Sequence, residues 1–161
     1  MDEIIKGNTL DMKIIASVDT RNYTFIIEDF GQGINLDDLE KVFSVLHSST
    51  NYDKKEGSGE YSSGKNGMGS TITNFLSKFF YVESYRMDGT AGRVEFTEGV
   101  CTKHTTPIKI NKNSKKHGLI TTFAPSNMVV DLTVEWQDLE YLTWLITHLC
   151  KIGTTVTFNA I

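Results

Sequence analysis

The stretch Ile27-Glu28-Asp29-Phe30-Gly31-Gln32-Gly33-Ile34, followed some thirty residues later by Ser63-Gly64-Lys65-Asn66-Gly67-Met68-Gly69-Ser70, decides how this chain is read. In the first, an apolar run ends in a carboxylate and two glycines. The carboxylate can accept from an exocyclic amine, and the missing Cβ atoms let backbone approach a flat ring, so Asp29, Gly31 and Gly33 read as a base pocket. In the second, Gly64, Gly67 and Gly69 precede a helical pattern formed by Met68, Ile72, Phe75, Leu76 and Phe79. Unpaired N–H groups at a helix start favour phosphate oxygens, so this motif reads as a phosphate cradle. Either motif alone is compatible with an ordinary turn or hinge; their ordered pairing is what carries the reading.

Outward from these motifs, Lys13 to Val18 and Tyr23 to Glu28 are rich in β-branched and aromatic residues around an Asp19-Thr20-Arg21-Asn22 break, which predicts a hairpin. Asn35 is a candidate N-cap, with Asp37 and Asp38 in the first turn and Leu36, Leu39, Phe43 and Leu46 at helical spacing. Residues 47–66 are polar and Gly-rich, a loop of about twenty residues that reads as a lid. Strand-like runs follow at Phe80 to Arg86, Gly92 to Thr97, Pro107 to Ile110 and Leu119 to Phe123, read as a meander. A helix over Glu135 to Lys151, stopped by Gly153, leads into a last strand from Thr154 to Phe158. The expected class is α/β, an α+β sandwich with a mixed, largely antiparallel sheet and helices packed on one face.

The chain has 161 residues, 39% hydrophobic and 22% charged, with 13 Gly and 2 Pro, which excludes disordered and collagen-like classes and fits one domain. Sixteen Lys and Arg against twenty Asp and Glu give a net charge of −4, so the chain lacks the basic footprint of a duplex-DNA binder. Cys101 and Cys150 stand apart and imply reduced thiols. No apolar stretch approaches the length of a membrane helix, and no leader is visible at Met1-Asp2-Glu3. His47, His104, His117 and His148 lack ligand spacing, so no zinc site is expected. Trp136 and Trp144 read as core or domain-contact aromatics, and Lys112 to Lys116 as a solvated hairpin tip. Gly59 to Asn66 nearly spells a Walker A loop but has Asn66 for the Mg²⁺-binding hydroxyl and no buried strand before it.

The two glycine motifs together resemble those of the ATPase superfamily of gyrase, heat-shock chaperone, histidine kinase and MutL, whose nucleotide site, the Bergerat fold, pairs Asp-x-Gly-x-Gly with a later Gly-x-x-Gly-x-Gly. With Ser48-Ser49-Thr50-Asn51-Tyr52-Asp53 and Thr73-Asn74-Phe75-Leu76-Ser77, the pattern is most similar to type II (type IIA) DNA topoisomerases, in wording more eukaryotic, viral or phage-like than gyrase-like. The resemblance implies ATP as ligand and Mg²⁺ as its metal. Asp29 would then take the adenine amine, with Gly31 and Gly33 against the base. Ser49, Thr50 and Asn51 would meet ribose and α-phosphate, and Lys65, Asn66, Gly67, Met68 and Gly69 the β- and γ-phosphates under the lid. It implies a clamp closed by ATP for DNA strand passage, a homodimeric enzyme with transducer and DNA-cleavage partners, and a cytoplasmic or nuclear location. Two other readings are a different member of the superfamily, such as a MutL-like or kinase-like ATPase, and a non-catalytic nucleotide-binding or interaction module.

Two departures go with the resemblance. The family's Glu-x-x-Asp-Asn-x-x-Asp-Glu helix is matched only in its tail by Met1-Asp2-Glu3, so neither a general base nor a metal ligand is assigned. One ATP-binding domain over 1–161 is expected, N-terminally truncated and without transducer; alone it is expected to be inactive. Leu119 stands where the family usually has a Thr beside the adenine-binding Asp.

Overall fold

The first two strands, β1 (Lys13–Asp19) and β2 (Thr24–Asp29), form the predicted hairpin, with Val18 opposite Phe25 and Ile14 opposite Asp29. Asp19 closes the turn by accepting from the Arg21 amide and the Asn22 side chain, both at 2.9 Å. The computed structural model describes residues 13–19, 21–45, 68–110, 116–128, 140, 141, 144 and 155–160. Helix α1 (Leu36–Ser44) starts after Asn35, as its sequence predicts, although Asn35 caps through its carbonyl and makes no side-chain bond. The expected lid, 47–66, lies outside the described residues, as does most of the helix expected over 135–151, of which 140, 141 and 144 are helical.

Helix α2 (Gly69–Phe75) begins at the predicted glycine but ends four residues earlier than the apolar spacing implies, because β3 (Ser77–Tyr85) takes over at Ser77. The Ser77 carbonyl accepts from Glu98 and the Leu76 carbonyl from Ser126, drawing the chain into the sheet, so Phe79 is a strand residue. The apolar stripe is not the buried one either. Ile72 and Phe75 are 44% and 42% exposed, whereas Thr71 and Asn74 are fully buried, Asn74 Nδ2 donating to the Phe43 carbonyl at 3.0 Å.

Strands β4 (Ala91–Thr97) and β5 (Val100–Pro107) complete an antiparallel meander with β3; the two-residue turn between them has positive φ at both Glu98 and Gly99. The run expected at Pro107 to Ile110 is corrected to Val100–Pro107, a polar edge strand that carries almost no alternation of hydrophobicity. Strand β6 (Gly118–Pro125) does not extend the meander but returns between β3 and β2, and β7 (Thr155–Ala160) pairs parallel with β1. The sheet order is β5-β4-β3-β6-β2-β1-β7, mixed and largely antiparallel.

Both helices pack on one face, α1 over β4 and β5 and α2 beside α1 and β3. Leu39 and Phe43 of α1 meet Phe80, Val82, Val94 and Phe96, all at most 5% exposed, so the core lies between α1 and the strands beneath it. At about 25 cal/mol per Å² of buried apolar area, these aromatics dominate the cohesion of the layer. The opposite face of β3 to β5 is charged: Arg93 pairs with Glu83 at 3.1 Å and lies over the Tyr81 ring, and Lys103 pairs with Glu95 at 3.3 Å. Among the described residues no helix is long and apolar enough to cross a membrane.

Candidate functional site

Asp29 ends β2 at the middle of the sheet, where β6 begins alongside it. Its Oδ1 accepts from two backbone amides, Gly31 at 2.9 Å and Leu119 at 3.2 Å. The first bond is a local turn; the second crosses from β6, so the amide of Leu119 supplies the support for which its side chain has no group. Among the described residues Oδ2 has no partner. Facing the same side two residues earlier, Ile27 is 42% exposed, which gives the carboxylate an apolar neighbour open to a ligand.

Close packing fixes this corner. Gly118 has φ +108°, and a Cβ there would lie 2.1 Å from the Asp29 carbonyl oxygen, so only glycine lets β6 start against the Asp29 backbone. His117 Nδ1 lies 3.0 Å from the Gly31 carbonyl and its ring meets Phe30 edge-on, holding the glycine turn from the other side. Lys116, the last residue of the expected solvated tip, is exposed and sits over the Tyr85 ring, 4.0 Å from its centroid; 111–115 lie outside the described residues.

The turn then runs to β3. Gly33 has φ +74° and a Cβ there would stand 2.5 Å from the Tyr85 carbonyl oxygen, so its local neighbour is protein backbone. The next residue is clasped twice by one buried hydroxyl: Ile34 N–H donates to Ser84 Oγ at 2.8 Å, and that Oγ donates to the Ile34 carbonyl at 2.7 Å. Ser84 is fully buried, and sequence reasoning passed over it because nothing in a Ser on a strand announces a partner fifty residues away.

Of the residues assigned from sequence, Asp29, Gly31 and Gly33 are brought together as a rigid corner, and Met68 and Gly69 begin α2 on the same face of the sheet. A Cβ on Gly69 would meet no atom within 4 Å, so no protein contact among the described residues demands glycine there. Ser49, Thr50, Asn51, Lys65, Asn66 and Gly67 lie outside the described residues. Trp144 is 55% exposed and stacked on Tyr141 at 6.0 Å, so it is not a core residue; Trp136 lies outside the described residues.

Comparisons with known proteins bear on the family and the fold. Residues 6–128 match the family of histidine kinase-, DNA gyrase B- and HSP90-like ATPases. The chain is 28% identical over 141 residues to the B subunit of the type 2 topoisomerase of Aquifex aeolicus, covering 83% of this chain and 17% of that protein. It is 33% identical over 115 residues to the B subunit of DNA gyrase from Thermotoga maritima, covering 66% of this chain and 17% of that one. It thus spans about a sixth of the length of these relatives. In structure it superimposes on the 43K ATPase domain of Thermus thermophilus gyrase B, solved with an aminocoumarin, with TM-score 0.71 and 21% identity over 92% of this chain and 37% of that one, a likeness of fold. The chain belongs to the histidine kinase-, DNA gyrase B- and HSP90-like ATPase family.

Proposed function

We propose that this chain is the ATP-binding core of a type II (type IIA) DNA topoisomerase, in which nucleotide binding closes a clamp and hydrolysis resets it for DNA strand passage. The observation that carries the reading is the Asp29 carboxylate. One oxygen is saturated by the Gly31 and Leu119 amides and the other is left with no partner among the described residues, beside the half-exposed Ile27. A fixed acceptor next to an apolar surface suits the exocyclic amine and face of adenine, so the residues fit the ligand. Asp29 takes the amine, Gly31 leaves room for the base, and Gly33 shapes the turn. Ser49, Thr50 and Asn51 are assigned to ribose and α-phosphate, and Lys65, Asn66, Gly67, Met68 and Gly69 to the β- and γ-phosphates. ATP supplies the binding energy for closure, and Mg²⁺ would neutralise phosphate charge, with no ligand for it assigned in this chain.

The similarity to gyrase and topoisomerase B subunits supports further topoisomerase domains or subunits as partners; DNA reached through them and a homodimeric assembly are part of the same proposal. The Ser49-Thr50-Asn51-Tyr52-Asp53 and Lys65-Asn66-Gly67-Met68-Gly69 wording supports a eukaryotic, viral or phage-like variant of that enzyme.

Titration calorimetry with ATP, GTP and adenosine tests the assignment. ATP should bind and GTP poorly, since the O6 acceptor of guanine would face a carboxylate. Gly67→Val and Gly69→Val should weaken ATP far more than adenosine. Equal losses for both ligands would make the glycines structural and remove the phosphate role.

A further inference from the structure

At the β5 edge of the sheet, four strands across from the β2 that carries Asp29, the bulge in the β4–β5 ladder gathers three side chains that the sequence keeps apart. Phe96 pairs with Cys101 and its neighbour Glu95 with Lys103, so β5 sets two residues against one and Thr102 is the extra residue. In an unbroken strand, residues three apart point to opposite faces. The extra residue reverses this, turning Cys101 and His104 to the same face, toward α1. From α1, Glu40 follows the fully buried Leu39 and reaches the same spot. His104 Nδ1 lies 2.9 Å from Glu40 Oε2 and 3.7 Å from Cys101 Sγ, and ligand atoms of all three fall within 4.8 Å of one another.

We propose that Glu40, Cys101 and His104 form a binding site for a divalent transition-metal cation of the zinc type, which ties α1 to the edge strand. The donor set is sulfur, nitrogen and oxygen, the mixture that Zn²⁺ and its neighbours take and that Mg²⁺ and Ca²⁺ avoid. Tetrahedral Zn²⁺, with bonds of about 2.0–2.3 Å, separates an S and an N ligand by about 3.6 Å and an N and an O ligand by about 3.4 Å. The Sγ–Nδ1 distance already fits, and the Nδ1–Oε2 hydrogen bond must open by about half an ångström, a rotation of the Glu40 carboxylate. On binding, the thiol proton leaves to solvent and the imidazole keeps its proton on Nε2, freeing Nδ1 to donate its lone pair. The His104 side chain is 83% exposed, which leaves the outward position for a water as fourth ligand. The site is separate from the nucleotide corner, built on β5 and the middle of α1.

The test is a Co²⁺ titration of the metal-free chain carrying Cys150→Ser, read by visible and near-ultraviolet absorption and repeated with Zn²⁺ as competitor. The result expected is saturation at one ion per chain in the micromolar range or tighter, with a thiolate-to-cobalt band that Zn²⁺ removes, and a Tm raised by Zn²⁺. Cys101→Ser should abolish the band, and His104→Gln or Glu40→Gln should weaken binding at least tenfold; both of the latter change groups outside the buried core and leave it intact. A chain that gives no thiolate band at one equivalent, binds only at millimolar metal, or binds equally well with Glu40→Gln or His104→Gln would overturn the site and leave an ordinary surface ion pair.

Discussion

Ser84→Ala tests how the nucleotide corner is held in place. The hydroxyl is fully buried and makes both bonds available to the Ile34 backbone, at 2.8 and 2.7 Å. If the turn stayed where it is, an N–H and a C=O would each be left buried without a partner, at about 1–3 kcal/mol apiece, or roughly 6 kcal/mol at most. If the turn moved to let water in, the loss would fall to the net value of two hydrogen bonds, about 1–3 kcal/mol. Gly33 decides between these limits. Its Cβ position lies 2.5 Å from the Tyr85 carbonyl oxygen, so water cannot enter until the turn lifts from β3. The expected loss is therefore intermediate, about 2–4 kcal/mol, with the turn partly displaced. With an m-value of about 1–3 kcal/mol/M in urea, the unfolding midpoint should drop by about 1–2 M at unchanged slope. ATP affinity should fall with it, because Asp29 and Gly31 belong to the same turn. A folded Ser84→Ala protein destabilised by less than about 0.5 kcal/mol would refute the argument, since a pair of buried hydrogen bonds cannot be worth so little.

Gly118→Ala should be among the most damaging small substitutions, costing about 3 kcal/mol or more, because φ +108° and a Cβ 2.1 Å from the Asp29 carbonyl oxygen leave no room for a side chain; denaturant unfolding reads it, and a loss under about 1 kcal/mol would contradict it. Asn74→Ala removes the donor to the Phe43 carbonyl in α1 and should cost about 1–3 kcal/mol in the same assay, whereas wild-type stability would mean that other groups serve that carbonyl. Two turn carboxylates are held below their ordinary pKa, Asp19 chiefly by the Arg21 amide and Asp88 chiefly by the Thr90 hydroxyl. A depressed folded pKa adds stability above the unfolded value and loses it as pH falls, so Asp19→Asn with Asp88→Asn should flatten the decline of Tm below about pH 4; an unchanged slope would count against both turns.

The hairpin, the start of α1 and the glycine at the head of α2 were legible because local chemistry and tertiary position agree there. Asx turns, N-terminal carboxylates and β-branched runs act over a few residues, and the sheet accepts them unchanged. Strand β5 was not legible: Val100 to Pro107 is a polar edge whose partner on one side, β4, supplies the hydrogen bonds that its composition does not advertise. Helix α2 misled for a different reason. Its apolar stripe of Ile72, Phe75 and Leu76 stays exposed while the polar Thr71 and Asn74 are buried, since the neighbour they meet is the carbonyl-rich end of α1. At the site, Asp29 stood out through its glycines, but its support comes from the Leu119 amide, and any residue except proline at that position would have supplied one. Cys101 and His104 read as a lone thiol and a histidine without ligand spacing, and Glu40 carried no signal, because a single extra residue in β5 changes which side chains share a face.

The central claim, that Asp29 anchors adenine, is tested most directly by Asp29→Asn. Asparagine keeps an Oδ1 to accept from the Gly31 and Leu119 amides, so the corner survives, but it replaces the carboxylate oxygen that has no partner among the described residues with an amide that repels an exocyclic amine. The measurement is ATP affinity by calorimetry for wild-type and variant chains of equal thermal stability. A charge-assisted hydrogen bond of about 1.5–3 kcal/mol predicts an affinity roughly ten- to a hundredfold weaker. An unchanged Kd in the folded variant would contradict the account and move the nucleotide away from this corner.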